Sequence, residues 1–412
     1  MKAHMSWIKK WKVTLFVVFG SFLFAVLASE LILRFIFVLP TPIARYYPIA
    51  ANVIGKPLTF DQYEYQTVNN YNTYGFRDKD FKVKKDRPRI LFFGDSFLEG
   101  QGVDEVARFS NLACQRFDQK IECINFGQIA TNPNNYFDNL IDFGMALQPD
   151  MIVLSIFLGN DFMQMGLNQL PNSYQIKSQD DLLKDITRSK PYLLLLIEQL
   201  ITKKKILYKN ENYDKKNFWE LIIGKKVDRN FYLKNSNVEE EKYESYTKNI
   251  NPKLLQAIYD GKLGSTFLGE VLNQANTSVD SKQYYSESDY ESMLNYLIEI
   301  NKITKNEKVK LLILLIPDMS EVNQSEFVSV LKNDFAIKLW PKRLDELSQM
   351  HQRLIADLHK RNIPYLDLLD RLKATNETLY YKYDNHFNGV GHKVVGELLR
   401  VNLSEALQGE VQ

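Results

Sequence analysis

The chain has 412 residues, of which 45% are hydrophobic and 25% are charged, a composition typical of a globular protein with a sizeable core. Its formal net charge of +2 argues against the broad basic surface of a nucleic-acid-binding protein. With two cysteines, Cys114 and Cys123, the sequence excludes zinc sites built from repeated Cys-x-x-Cys pairs.

The N-terminal segment has the pattern of a membrane anchor. Its first residues include four lysines: Lys2, Lys9, Lys10 and Lys12. Residues 13–29 then carry no charged side chain, and apolar residues continue past Glu30 and Arg34. This run is long enough to cross a membrane, and its basic flank predicts a cytoplasmic N-terminus with the rest of the chain across the membrane. A signal peptide cleaved near Ala28 is the alternative, and the continuing apolar residues favour the uncleaved anchor.

Residues 40–87 contain several prolines and many tyrosines without a clear period, which predicts a linker that packs on the following domain. Apolar runs of strand length then occur at residues 88–94, 121–126 and 151–157. Helical patterns separate them at about 104–118 and 134–147. This alternation predicts a parallel sheet with helices on both faces.

The alternation stops at about residue 163 and returns at about residue 285. So long an interruption predicts an insertion, and insertions at the ligand-binding edge of a sheet often form lids or substrate walls. Within it, residues 192–201 predict a strongly apolar helix, which we expect to pack on the domain core, with the membrane surface as the alternative.

The last part of the chain completes the same pattern. Helices are predicted at about 287–304, 341–360 and 391–403, and strands at 309–316 and 363–367. The sequence thus divides into a cytoplasmic tail and transmembrane anchor (1–39), the linker (40–87) and one domain (88–412) that carries the insertion.

The first strand ends in Gly94-Asp95-Ser96, and glycine permits a sharp turn that presents a small hydroxyl at the carboxyl end of the strand. Ser96 is therefore a candidate nucleophile, although a serine or aspartate that caps the next helix gives the same pattern. A serine needs a base, and of the five histidines His386 is the best placed, because it lies in a loop before the last helix.

Four short blocks together resemble the SGNH (GDSL-type) hydrolase superfamily over about residues 70–165 and 285–405. They are Gly94-Asp95-Ser96, Asn125-Phe126-Gly127, Gly159-Asn160-Asp161 and Asp384-Asn385-His386. The resemblance implies a flavodoxin-like α/β fold, a three-layer α/β/α sandwich around a five-stranded parallel sheet. The segment 72–78 is similar to one that precedes the nucleophile block in membrane-anchored members.

The resemblance also implies roles for individual residues. Ser96 is the nucleophile, His386 the base and Asp384 the residue that orients the imidazole, while Asp95 braces the turn. The oxyanion of the tetrahedral intermediate is expected to bind the backbone N–H groups of Ser96 and Gly127 and the side-chain amide of Asn160. No metal or cofactor is expected, since the sequence has no metal-ligand motif.

The spacing of Asp384 and His386 departs from the usual superfamily pattern, in which the aspartate lies three residues before the histidine, where this chain has Tyr383. An Asp-x-His spacing resembles that of polysaccharide O-acetylation proteins. The resemblance therefore implies an exported esterase or acyltransferase that acts on ester-linked acyl groups, and among these on acetyl groups of a cell-envelope polysaccharide. The expected partners are this substrate, the membrane and a membrane-bound acyl-transfer protein, without nucleic acid.

Three alternatives stay open at this point. A lipase or thioesterase of the same fold would share the nucleophile and base. A non-catalytic component that binds or assembles polysaccharide would keep the fold, although it has no need of the complete residue set. Cys114 and Cys123 are close enough in sequence to form a disulfide in an oxidising compartment, or are two buried thiols.

Overall fold

The computed structural model describes residues 2–38, 57–72, 74–117, 120–162, 165, 169–187, 192–202, 208–209, 229, 239–263, 286–336 and 341–407. Two compact units make up the chain. One consists of residues 1–52 and 184–214, and the other of residues 53–183 and 215–412. Much of the predicted insertion lies outside the described residues, so its proposed role as a lid stays a prediction.

Strands and helices alternate along most of the described chain. The strands are β1 (Phe37–Val38), β2 (Pro57–Asp61), β3 (Gln66–Asn70), β4 (Arg89–Gly94), β5 (Glu122–Gly127), β6 (Met151–Phe157), β7 (Tyr208–Lys209), β8 (Lys310–Ile316) and β9 (Tyr365–Asp367). The helices are α1 (Lys2–Ile36), α2 (Ser96–Glu99), α3 (Phe109–Cys114), α4 (Pro133–Asn139), α5 (Gln179–Thr187), α6 (Tyr192–Thr202), α7 (Glu240–Thr247), α8 (Pro252–Tyr259), α9 (Glu287–Asn306), α10 (Met319–Val322), α11 (Gln324–Ser329), α12 (Pro341–Lys360), α13 (Leu369–Lys373) and α14 (Gly389–Ala406).

The larger unit is built around a parallel sheet with the strand order β5-β4-β6-β8-β9. Every neighbouring pair in this sheet is parallel. The chain leaves β4 toward one side to form β5 and then crosses back to form β6 on the other side. In an open α/β sheet such a reversal creates a crevice at the carboxyl ends of the central strands, where ligands bind.

Alternate residues of the central strand pack on opposite faces of the sheet, as the two-residue period of a strand requires. In β4, Ile90 and Phe92 belong to one core cluster, together with helices α3 and α14. Leu91 and Phe93 belong to a second cluster, together with α4, α9 and α12. Helices therefore cover both faces, and the predicted three-layer α/β/α fold with five parallel strands is confirmed.

Two of the predicted helices are less regular than their sequence pattern indicates. The segment predicted at 134–147 is α-helical over Pro133–Asn139 and continues as a π-helical turn at Leu140–Gly144 and a 3₁₀ turn at Met145–Leu147. At Gly144 a Cβ atom would lie 2.7 Å from the ring of Phe93, so this turn packs its backbone directly on the sheet. The segment predicted at 104–118 is α-helical in α3, with 3₁₀ turns on both sides.

Residues 57–70 form an antiparallel hairpin, β2–β3, within the segment predicted to be a linker. The two strands are short, and every second residue is buried. The buried residues of β2 are Leu58 and Phe60, but those of β3 are Thr67 and Asn69. Because polar residues occupy the buried positions of one strand, the apolar alternation that marks a strand is absent from the sequence.

The smaller unit contains α1 and α6, and β1 pairs with β7 in an antiparallel manner. Within α1, the segment Trp11–Leu33 is long and apolar enough to cross a membrane, by its length and composition. Helix α6 packs on α1 within this unit. Our expectation that the apolar helix at 192–201 packs on the domain core stays a prediction.

Cys114, at the end of α3, and Cys123, in β5, form a disulfide. Their Cα atoms are 6.5 Å apart. The structure thus selects the bonded form from the two alternatives that the sequence left open.

Candidate active site

Ser96 is the first residue of the short helix α2, and Asp95 alone separates it from the end of β4. The close packing at Gly94 shapes this turn, because a Cβ atom there would lie 2.9 Å from the Cβ atoms of both Leu98 and Ser155. The side chain of Asp95 accepts a hydrogen bond from the backbone N–H of Phe97 at 3.0 Å and so caps the helix. The turn therefore fixes Ser96 at the carboxyl end of the central strand, as predicted.

The structure brings the three residues of the predicted catalytic array together, although Ser96 and His386 lie far apart in the sequence. The Ser96 Oγ and His386 Nε2 atoms are 2.7 Å apart. On the other side of the ring, His386 Nδ1 hydrogen-bonds to Asp384 Oδ1. A hydroxyl, an imidazole and a carboxylate in this order can remove the hydroxyl proton and stabilise the imidazolium that results.

A left-handed residue between Asp384 and His386 allows the two-residue spacing to work. Asn385 has a φ of +66°, a conformation that asparagine adopts more readily than most residues. The loop closes on itself, because the N–H of Tyr381 donates to the His386 carbonyl at 2.8 Å and the N–H of Asn385 donates to the Tyr381 carbonyl at 3.2 Å. Both side chains therefore lie on one side of a tight loop.

Electrostatic coupling between Asp384 and His386 shifts the pKa values of both groups. Burial opposes the ionisation of Asp384, but the charge and hydrogen bonds of His386 outweigh it, so the pKa of Asp384 lies below its usual value. Burial likewise disfavours the charged imidazole, yet Asp384 raises the pKa of His386 above its ordinary value. A stronger base accepts the serine proton more readily at neutral pH.

The tip of the β2–β3 hairpin holds the loop that carries Asp384 and His386. The Glu64 carboxylate accepts three backbone hydrogen bonds, each of 2.8 Å, from Lys382, Tyr383 and Asp384. The next residue, Tyr65, donates its hydroxyl proton to Asp384 Oδ2 at 3.2 Å. Sequence reasoning missed both residues, since an isolated Glu-Tyr pair in a proline-rich segment gives no signal of this contact.

Gln101, two residues after helix α2, completes the hydrogen bonds to the second oxygen of Asp384. Its Nε2 atom lies 3.3 Å from Asp384 Oδ2 and 3.0 Å from the hydroxyl of Tyr65. The segment after Ser96 and the hairpin thus both donate to the same carboxylate. Hydrogen bonds to the charged form of a carboxyl group favour that form, which keeps Asp384 ionised.

The ring of Phe97 packs on the imidazole of His386 and is itself packed between other aromatic rings. The ring of Phe97 lies 4.8 Å from that of His386, and it also contacts Phe157 at 4.1 Å and Phe387 at 5.0 Å. All three phenylalanines are buried. This apolar contact limits the positions that the imidazole can take and keeps water from one face of it.

The segment 72–78, whose role the sequence did not reveal, and the preceding Tyr71 support helix α2. The buried Arg77 guanidinium donates to the carbonyls of Gly100 and Val103, both at 2.6 Å. The Tyr71 hydroxyl donates to Glu99 Oε1 at 2.7 Å, and Glu99 Oε2 accepts the N–H of Ile129 at 2.7 Å. This segment therefore connects α2 to the turn after β5.

Two buried carboxylates lie behind the site. Asp95 is expected to brace the turn, and its capping bond to Phe97 agrees with that role. Burial raises the pKa of Asp95 to about 6, although the charge of His386 opposes the shift. Asp161 accepts hydrogen bonds at 2.8 Å from the Tyr136 hydroxyl and the N–H of Phe157. Burial, reinforced by Asp95, raises the pKa of Asp161 well above its ordinary value.

The expected oxyanion donors differ in their availability. The N–H of Gly127 donates to Asn125 Oδ1 at 2.7 Å, and a Cβ atom at Gly127 would lie 2.4 Å from the backbone nitrogen of Glu99. This N–H is already engaged in the interior, so we leave Gly127 out of the proposed oxyanion hole. Asn160 follows β6 at the same edge of the sheet, and its side chain is exposed to solvent.

Two other histidines of the domain have partners that exclude them as the base. His392 is buried, accepts the N–H of Phe109 at 3.2 Å, and has a pKa lowered to about 3, chiefly by burial. His351 lies between Glu321, at 2.9 Å, and Asp367, at 3.1 Å. Burial opposes its protonation, but these two carboxylates raise the pKa of His351 to about 9.

Within the described ranges, no group of three or more His, Cys, Asp or Glu side chains could hold a metal ion. The array of hydroxyl, imidazole and carboxylate described above needs none for proton transfer. The absence of a metal or cofactor from the reaction stays a prediction.

No protein-family model and no curated protein matches the chain. Among solved structures, it is similar to a GDSL-like lipase from Bacteroides thetaiotaomicron VPI-5482, with 10% identity, 77% of this chain and 89% of that chain covered, and a TM-score of 0.34. It is also similar to an acetyl xylan esterase (9% identity, 77% and 98% covered, TM-score 0.37) and to a lipase/acylhydrolase from Enterococcus faecalis (12% identity, 77% and 96% covered, TM-score 0.35).

Similarity at these TM-scores does not define a function, so we assign the candidate active site from the residues of this chain alone. The sheet order places Ser96 at the crevice beside the strand-order reversal, and the last loop of the domain brings His386 and Asp384 to it. The chain therefore resembles the SGNH (GDSL-type) hydrolase superfamily in its fold as well as in its sequence motifs.

Proposed function

We propose that the protein is a serine esterase or acyltransferase whose nucleophile is Ser96, whose general base is His386 and whose orienting carboxylate is Asp384. The continuous contact from the serine hydroxyl through the imidazole to the carboxylate carries this proposal. A binding module needs no such connection, because it gains nothing from a serine whose proton a neighbouring base can accept.

The reaction follows from this geometry. Ser96 Oγ attacks the carbonyl carbon of an ester while His386 Nε2 takes the hydroxyl proton, which forms a tetrahedral intermediate. His386 then returns that proton to the leaving alcohol as the carbon–oxygen bond breaks, leaving an acyl group on Ser96. A second hydroxyl compound repeats these steps in reverse: water gives hydrolysis, and a sugar hydroxyl gives transfer.

The oxyanion of the intermediate needs donors that are in place before the reaction. We assign this role to the backbone N–H of Ser96 and the side-chain amide of Asn160. Both residues follow central strands at the carboxyl edge of the sheet, and the side chain of Asn160 is open to solvent and so to a substrate.

We place the substrate among O-acylated, most simply O-acetylated, cell-envelope polysaccharides. The Asp-x-His spacing supports this choice through its resemblance to polysaccharide O-acetylation proteins, and the left-handed Asn385 shows how the spacing is accommodated. Export of the domain is supported by the apolar span of α1 with lysines before it, and by the disulfide between Cys114 and Cys123.

The first test uses the full chain in detergent micelles with p-nitrophenyl acetate. We expect Ser96→Ala and His386→Ala each to lower kcat/KM by about three powers of ten or more, because members of such an array act as a unit. Ser325→Ala and His359→Ala are matched controls at exposed positions and are expected to retain activity. A serine-directed phosphonate is expected to label the wild type but not Ser96→Ala.

Acceptor glycans then separate the two forms of the proposal. Transfer of labelled acetyl groups to a glycan identifies an acyltransferase, whereas release of acetate alone identifies an esterase. A preference for long-chain esters would favour a lipase or thioesterase of the same fold. Equal turnover by the wild type and both active-site variants would reject the assigned residues, and a wild type without turnover or labelling would favour a binding role.

A further inference from the structure

Helix α6 is an apolar helix that is too short to cross a membrane. It has 11 residues, which corresponds to about 16 Å at the rise of an α-helix. The hydrocarbon core of a bilayer is about 30 Å thick. A helix of this length is either part of a protein core or lies in the interfacial region of a membrane.

One face of α6 is not covered by protein in the structure. The exposed fractions are 53% for Leu194, 43% for Ile197, 70% for Leu200 and 76% for Ile201. These positions follow the three- and four-residue spacing of a single helix face. Four large aliphatic side chains on one exposed face are unfavourable in water and typical of a surface that meets an apolar phase.

The partner of α6 is the C-terminal end of the candidate membrane span in α1. Glu30 lies three residues before the end of Trp11–Leu33, and its Oε2 atom accepts the N–H of Leu193 at 3.1 Å. The first N–H groups of a helix lack partners within it, so this carboxylate satisfies one of them. The contact gives Glu30, an acidic residue near the end of the apolar span, a hydrogen-bond partner.

The segments that follow α1 and α6 in the chain also pair with each other, which stabilises the contact between the two helices. Strand β1, directly after α1, pairs with β7, so Phe37 lies opposite Lys209 and Val38 opposite Tyr208. Helix α6 is therefore held near the end of the span by a helix contact on one side and by strand pairing on the other. Leu27 and Leu31, in the part of α1 near Glu30, are also exposed, at 61% and 60%.

We propose that α6 lies in the membrane leaflet that contains the C-terminal end of α1, with Leu194, Ile197, Leu200 and Ile201 facing lipid acyl chains. The inference rests on the proposed membrane-anchor role of α1. Lipid is the occupant because α6, with its apolar side chains exposed, packs on the helix that itself carries the candidate membrane span. A transmembrane helix and an interfacial helix then both attach the chain to the membrane. Together they would restrict how far α1 tilts relative to the membrane normal.

The test places a single environment-sensitive fluorophore on the full chain in vesicles of phosphatidylcholine and phosphatidylglycerol. The two native cysteines are joined, so a thiol introduced by Ile201→Cys is the site of labelling, and the unlabelled wild type is the control. Phe19→Cys reports on the middle of α1. Lys302→Cys, with 62% of its side chain exposed, reports on an aqueous position. Aqueous iodide and lipids with spin labels near the headgroup measure accessibility and depth.

We expect iodide to quench the label at position 201 about fivefold less than the label at position 302, and headgroup-region spin labels to quench the label at position 201 strongly. Equal iodide quenching at positions 201 and 302, with position 19 protected, would overturn the inference while the anchor stands. Protection from both iodide and lipid quenchers would also overturn it, because α6 would then be covered by protein. Iodide access at position 19 would reject the anchor itself.

Discussion

Glu64 gives the sharpest prediction, because it holds the loop of Asp384 without belonging to the proposed reaction. Its Oε1 atom accepts the N–H of Lys382, and its Oε2 atom accepts the N–H groups of Tyr383 and Asp384, each at 2.8 Å. Glu64→Gln keeps the size of the side chain but replaces one acceptor oxygen with an amide that can only donate. At least one of the three hydrogen bonds is lost, and the others lose the assistance of the charge.

The size of the effect follows from these contacts. A hydrogen bond to a charged group contributes about 1.5–3 kcal/mol, against about 1 kcal/mol for a neutral one. Loss of one bond and weakening of two would sum to about 3–4 kcal/mol for a buried carboxylate. Glu64 is only partly buried, so water replaces part of the loss, and we expect about 1.5–2 kcal/mol.

If this free energy is lost from the active arrangement of the loop, kcat falls about 10- to 30-fold. KM should change little, because the Glu64 carboxylate binds the protein backbone and not the substrate. The assay compares p-nitrophenyl acetate hydrolysis and thermal unfolding of the wild type, Glu64→Gln and Glu307→Gln. Glu307 is exposed at the end of α9 and serves as the matched control.

A merely structural role would lower the melting temperature and the fraction of active protein, but it would leave kcat per active site unchanged. Titration of active sites with a phosphonate therefore separates the two roles. If Glu64→Gln retains kcat per active site within a factor of two, the reasoning that this carboxylate positions Asp384 is refuted.

Three further predictions concern the same domain. Asp384→Asn should lower kcat/KM by about three to four powers of ten. It should also move the acidic limb of the pH–rate profile to lower pH, because the Asp384 charge raises the pKa of His386. If the residual activity of the variant keeps the acidic limb of the wild type, this coupling is contradicted. Asn385→Gly should keep activity, because glycine readily adopts the φ of +66° found at this position, whereas Asn385→Val should lower kcat about tenfold. Equal kcat values for the two variants would exclude a role for this left-handed residue. The two carboxylates that contact His351 raise its pKa to about 9, so protonated His351 should stabilise the fold by about 3 kcal/mol at most. This contribution should be complete below about pH 6.5 and should be lost as the pH rises through 9. The melting temperature of His351→Gln should lack this pH dependence, and if the dependence persists in the variant, other groups cause it.

The sequence by itself determined the layout of the sheet and the identity of its central residues. Apolar runs of strand length and the helices between them are local patterns, and a βαβ order with right-handed crossovers leaves few topologies. The run before Gly94 therefore predicted where Ser96 would lie. The choice of His386 followed from its position in a loop before the last helix, and the structure places it 2.7 Å from the serine.

Only the tertiary structure decided which groups are engaged with one another. The use of the Gly127 N–H by Asn125, and of three loop N–H groups by Glu64, depends on side-chain and backbone directions that no periodicity encodes. The pairing of Cys114 with Cys123 depends likewise on where α3 and β5 meet.

The same reason explains the apolar helix α6. Its composition indicates that it must bury a face, but composition is equally compatible with a protein core, a partner helix and a membrane. The structure shows that α6 meets α1, through one contact between Glu30 and Leu193 and the strand pair β1–β7, both formed by residues distant in sequence. The lipid at its exposed face is our proposal. Local patterns thus fix what each segment is, whereas contacts between distant segments fix what each residue does.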